Sequence, residues 1–169
     1  RVKMKRLVLT RHAKSDWSGA TSDHDRPLNA RGRASATALG DWLRAQKIAP
    51  DTVLCSTATR AAETLKGLAL GPDTDVQFTR DLYLADPETI LATLRGASGD
   101  TVVIIGHNPG IGTMAGMIIE TSDDGGITDY PTGATLVATF NVEAWADVKW
   151  RMGTMDQFVV PRDLPAPQQ

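Results

Sequence analysis

The chain has 169 residues, 41% of them hydrophobic and 22% charged, with 18 Lys and Arg against 20 Asp and Glu and a formal charge of −2. A chain of this size can bury one continuous core without disulfides or a structural metal, and its charge argues against a whole surface built for a nucleic-acid backbone. No apolar run is long enough to span a bilayer, and the one cysteine, Cys55, excludes an intrachain disulfide framework and a cysteine-only zinc site.

The apolar run Leu7-Val8-Leu9 is too short for a signal-peptide core, so a reducing, cytoplasmic location is expected. Residues 6–10 (RLVLT) read as a buried strand, followed by a polar loop to Leu28. Asn29 is a plausible N-cap for a helix over residues 30–47, in which Ala34, Ala38, Leu39, Trp42 and Leu43 recur at helical spacing. Residues 52–56 (TVLCS) form a second strand. Ser56 or Thr57 can then cap a helix over 58–68 that carries Arg60 in its first turn. Residues 76–79 (VQFT) give a weak third strand. Asp86 and Pro87 look like N-cap and N1 of a helix ending near Arg95.

Residues 100–105 (DTVVII) carry the strongest strand pattern and run into Gly106-His107-Asn108-Pro109, where Asn108 and Pro109 can open a helix over 109–119. After a turn-rich stretch at 122–132, two more strands are expected at 134–140 and 157–160, and a loose tail at 161–169. Strands alternating with helices specify an α/β fold, here a three-layer α/β/α arrangement with a mostly parallel central sheet. With no repeat and no internal linker, residues 1–169 read as a single domain.

Three of these strands end in polar residues: Arg11 and His12 after the first, Arg60 after the second, His107 after the strongest. Ligands of open α/β sheets bind outside the carboxyl ends of the strands, so two Arg and two His distant in sequence can meet there. Arg offers planar forks matched to phosphate oxygens, and His serves as a neutral nucleophile or a cationic donor. The combination points to phosphoryl transfer. Each residue alone has a plainer reading: His12 finishing a strand, Arg60 neutralising Glu63, His107 bracing the turn before Pro109. Convergence at three strand ends weakens all three.

The segments LVLTRHAKS (7–15), DHDRPLNARG (23–32), CSTATRAAETL (55–65) and VVIIGHNPGI (102–111) together resemble the histidine phosphatase, or phosphoglycerate-mutase-like, superfamily. Ala13, where many members have Gly, is similar to the SixA-type phosphohistidine phosphatases. The resemblance implies that His12 is the nucleophile, that Arg11, Arg60 and His107 surround the phosphoryl group, and that no metal cofactor is used. On that chemistry neutral His12 attacks phosphorus, and His107 works best as an imidazolium, a form that a bound dianion favours.

Lys14 and Ser15 are expected to line the substrate pocket, with Asp25 and Arg26 bracing the loop and His24 exposed rather than a metal ligand. Asp86 and Glu88 are the candidate general acids, with the capping reading of Asp86 and the helix-dipole reading of Glu88 placed ahead of that role. Cys55 and Arg60 leave four residues between them, not the five of a Cys-x5-Arg cradle, so Cys55 is assigned to the core. The expected partner is a phosphorylated small molecule or a phosphohistidine protein, with neither nucleic acid nor membrane. The alternatives are a phosphoglycerate-mutase-type phosphotransferase and a non-catalytic phosphate- or phosphoprotein-binding module.

Overall fold

The structure is a computed structural model that describes residues 4–121, 127 and 129–167. One six-stranded sheet runs through it. Its strands are β1 (Lys5–Arg11), β2 (Thr52–Ser56), β3 (Asp75–Thr79), β4 (Thr101–Gly106), β5 (Thr135–Phe140) and β6 (Thr154–Val159), in the spatial order β3-β2-β4-β1-β5-β6. The β3, β2, β4 and β1 strands are parallel, whereas β5 runs antiparallel to β1, and β6 to β5. The helices are α1 (Ala30–Ala45), α2 (Thr59–Leu68), α3 (Pro87–Arg95) and α4 (Gly110–Ile118).

Side-chain alternation along the strands divides the core in two. Val8, Val53, Cys55, Val103 and Ile105 face Leu39 and Leu43 of α1 and Ala61 and Leu68 of α2. Leu7, Leu9, Leu54, Val102 and Ile104 face Leu91 and Leu94 of α3 and Met114 and Ile118 of α4. Being covered on both faces explains why β1, β2 and β4 read as continuous apolar runs. The edge strand β3 exposes Val76 and Phe78, which is why its pattern is weak.

Several boundaries differ from the sequence reading. Ala34 is exposed, and α1 instead buries Gly32, Ala36, Ala38, Leu39, Gly40 and Leu43. Asn29 is the N-cap as expected, its side chain accepting from the Gly32 N–H. The second helix starts at Thr59 with Ala58 as N-cap. The expected cap Ser56 is still in the strand and accepts from the Ala58 N–H. The fourth helix begins after Pro109, yet the Asn108 carboxamide oxygen still accepts from the Gly112 N–H. The last two strands fall at Thr135–Phe140 and Thr154–Val159.

The tail is not loose throughout. Residues Pro161–Asp163 form a 3-10 turn, and Leu164 packs on the α1/α2 side of the core. Within the expected turn-rich stretch, residues 122–126 and 128 lie outside the described residues, as do 168–169 of the tail. Among the described residues no helix is long and apolar enough to cross a membrane.

Candidate active site

The sheet order makes β2, β4 and β1 neighbours, so their carboxyl ends bring Arg60, His107 and the Arg11-His12 pair to one place. The ring centroids of His12 and His107 are 5.2 Å apart, and Arg60 Nε donates to His12 Nε2 at 3.3 Å. Both imidazoles and the Arg60 guanidinium are buried.

The tautomer of His12 follows from its partners. Its Nδ1 lies 2.7 Å from the Ala13 carbonyl oxygen, which can only accept, so Nδ1 carries the proton. Nε2 therefore carries the lone pair, which accepts the long bond from Arg60 Nε. Burial, reinforced by Arg60, Arg11 and Arg26, lowers the His12 pKa to about 4, which keeps the ring neutral at ordinary pH.

His107 Nε2 lies 2.8 Å from Ser56 Oγ. That hydroxyl oxygen also accepts from the Ala58 N–H. His107 Nδ1 is buried and without a partner among the described residues. Burial, then the nearby His12 and Arg60, lowers the His107 pKa to about 3. His107 is thus neutral as it stands; the expected imidazolium needs an anion beside it.

Arg11 Nη1 donates to the Tyr130 carbonyl at 3.1 Å, and its buried Nε has no partner among the described residues. Two orphaned polar nitrogens, on Arg11 and His107, in a site that also holds the unprotonated His12 Nε2 fit an anion with several oxygens. Among the described residues no group of three or more His, Cys, Asp or Glu could hold a metal ion.

The sequence reading missed Asp23 and Tyr83. Arg60 Nη1 donates to the Asp23 carbonyl and Nη2 to Asp23 Oδ2 at 3.1 Å, Arg26 donates to Oδ1 at 2.7 Å, and the Tyr83 hydroxyl donates to Oδ2. These bonds, Tyr83's the largest, hold the Asp23 carboxyl well below the usual carboxylate range. Tyr83 stands edge-on to both His107 and His24. The chain has two tyrosines, Tyr83 and Tyr130, and both border this site. That scarcity, with Tyr83 in a polar loop beyond a strand end, is the signal that could have found it.

Other expected roles change. His24 is not a free loop residue: it is half-buried, with Nε2 2.8 Å from Thr57 Oγ1. Glu63 accepts from the Leu28 N–H and does not pair with Arg60. Ser15 is buried with its hydroxyl accepting from Arg26 Nε at 3.1 Å, so it braces the loop rather than lining the pocket. Lys14 is exposed and lines a separate concavity with Arg31 and Arg162. Asp86 is the N-cap of α3, accepting from the Thr89 N–H at 2.8 Å, and these bonds to Thr89 lower its pKa; Glu88 is exposed in the first turn. An ionised cap is poorly suited to be a proton donor.

A family model for the histidine phosphatase superfamily (branch 1) matches residues 7–83. The solved structure of a candidate phosphohistidine phosphatase SixA from Nakamurella multipartitia is 30% identical, covers 94% of this chain and 97% of its own, and superposes with a TM-score of 0.86. The chain belongs to the histidine phosphatase superfamily. A second candidate SixA, from Agrobacterium tumefaciens, is 27% identical with a TM-score of 0.77 over 93% of this chain and 99% of its own. An uncharacterized protein of Mycobacterium tuberculosis is 37% identical over 161 residues, which is 90% of this chain and 99% of that protein. Membership of this superfamily supports a phosphatase activity, and the three-layer α/β architecture is the one these neighbours share.

Proposed function

We propose that this histidine phosphatase superfamily member hydrolyses phosphohistidine in proteins through a phosphoryl intermediate on His12. The observation that carries the reading is the tautomer of His12: its Nδ1–H is committed to the Ala13 carbonyl, so Nε2 carries the lone pair in a site shared with Arg60, Arg11 and His107. In the first step Nε2 bonds to phosphorus as the bond from phosphorus to the leaving imidazole nitrogen breaks. The guanidinium groups and His107 hold the non-bridging oxygens. In the second step water attacks phosphorus, the phosphorus–Nε2 bond breaks, its electron pair returns to Nε2, and inorganic phosphate departs.

The test is to quench turnover and locate the label. A phosphoryl group labile in acid, stable in base and mapped to His12 is the expected result, whereas an acid-stable label on another residue would remove the mechanism.

The choice of phosphohistidine rests on the leaving group. The exposed Asp86 is committed to capping α3, and an alkoxide needs a proton in the transition state, whereas a phenolate leaves as it is and a phosphohistidine ring protonated on its other nitrogen leaves as neutral imidazole. The kcat/KM for a graded series of aryl and alkyl phosphates should therefore fall steeply as the leaving group becomes more basic. Asp86→Asn and Glu88→Gln should alter phosphohistidine hydrolysis only slightly. A flat series with a large loss in either variant would mean that a general acid operates in this loop.

A further inference from the structure

Beside the loop that follows His12, Lys14, Arg31 and Arg162 line a concavity of about 160 Å³ together with Ser35, Pro131, Thr132, Val160 and Pro161. No carboxylate is among these residues. None of the three cations has an ion pair or side-chain hydrogen bond among the described residues, although the chain as a whole carries a formal charge of −2. Like charges gathered without counter-charges repel one another, so their grouping needs either a rigid scaffold or an anionic ligand.

The scaffold is present. A Cβ at Gly32 would fall 2.0 Å from the Lys14 carbonyl oxygen, so α1 packs directly on the loop that follows His12. A Cβ at Gly133, whose φ is +78°, would fall 2.5 Å from Pro161 Cγ, and the Gly133 N–H bonds to the carbonyls of both Arg11 and His12. Four backbone segments, at Lys14, α1, 131–133 and 160–162, thus fix the walls. Only Ala13 lies between His12 and Lys14, so their Cα atoms are at most about 7 Å apart.

We infer that this basic concavity is a docking subsite for acidic side chains that flank the phosphorylated residue of a protein substrate. The inference rests on the phosphoprotein reading given above. Exposed cations each bind a lone carboxylate weakly, but a carboxylate tethered to a phosphoryl group already at His12 meets them at high effective concentration. Charge complementarity of this kind selects among protein substrates and acts chiefly on KM.

The experiment compares phosphohistidine peptides with Asp and Glu flanks, the same peptides with Asn and Gln flanks, and an aryl phosphate, using wild type and the Arg31→Gln/Arg162→Gln double variant. Wild type should prefer the acidic peptide, and the variant should lose that preference through a rise in KM of roughly five- to tenfold. Added salt should erode the preference in wild type. Aryl phosphate turnover should be equal in both proteins. No preference in wild type, or an equal loss on all three substrates, would overturn the subsite. If aryl phosphate is turned over and no phosphohistidine peptide is, the phosphohistidine reading fails on its own. The subsite is then decided by the binding of the two peptides, where equal affinity for acidic and neutral forms would reject it.

Discussion

His12→Ala should lower turnover of an aryl phosphate by on the order of 10⁴-fold or more, the scale on which loss of a nucleophile is felt in enzymes that form covalent intermediates. Cys55→Ser should leave most of the activity. The contrast follows from position: the His12 Nε2 lone pair sits among Arg60, Arg11 and His107, whereas Cys55 lies in the middle of the sheet, fully buried against the α1/α2 core. Burial also pushes the Cys55 thiol up to about 12, so it holds almost no thiolate at neutral pH. Because the His12 pKa is lowered to about 4, its nucleophilic form is present above that pH and is lost as pH falls through it. An acid limb of kcat/KM near pH 6 would therefore be assigned to the second ionisation of the phosphate, about 6, not to His12. Equal losses in the two variants would reverse this assignment.

Arg60→Ala should cost about 10²- to 10³-fold in kcat/KM, as expected for removing one group that stabilises the transition state. Arg60→Lys should fail to restore it. The guanidinium uses three separate edges: Nε toward His12, Nη1 toward the Asp23 carbonyl and Nη2 toward the Asp23 carboxylate. An ammonium is a single point charge and cannot span those directions. Circular dichroism and a melting curve on each variant separate a catalytic loss from unfolding, which matters because Arg60 is among the largest fully buried side chains. Near-normal rates in a folded Arg60→Ala protein would remove this residue from the proposed site.

The parts legible in the sequence were those governed by local rules. Asn29 and Asp86 act as N-caps where their side chains precede helical patterns, and Pro87 opens α3 at N1. The strand ends carrying His12, Arg60 and His107 meet because parallel strands with crossover helices place their carboxyl ends together. Partners chosen across the fold left no local mark. Asp23 reads as one acidic residue in a polar loop, and only the approach of α2 and the turn after β3 brings Arg60 and Tyr83 onto it. Ser56 reads as a helix cap because the pattern shows a strand giving way to a helix; its bond to His107 depends on β4 lying beside β2. Ala34 was misplaced because helical spacing ranks apolar residues without showing that small side chains at Gly32, Ala36 and Gly40 allow the closest approach.

The backbone around the proposed nucleophile has a consequence for how the protein receives its substrate. The His12 N–H donates to the Gly106 carbonyl, the Gly133 N–H donates to the carbonyls of Arg11 and His12, and the Ala13 N–H donates to Thr64 Oγ1. The Thr64 hydroxyl in turn donates to the Arg60 carbonyl, and the Ala13 carbonyl accepts from the His12 ring. No peptide group from Arg11 to Ala13 is left to solvent or to chance, and the same bonds tie this segment to the helix that carries Arg60. The reacting nitrogen is therefore part of a rigid frame, and its ordering entropy is lost during folding rather than on encounter with a phosphoryl group. A phosphoryl group then meets a nucleophile whose backbone is already in place.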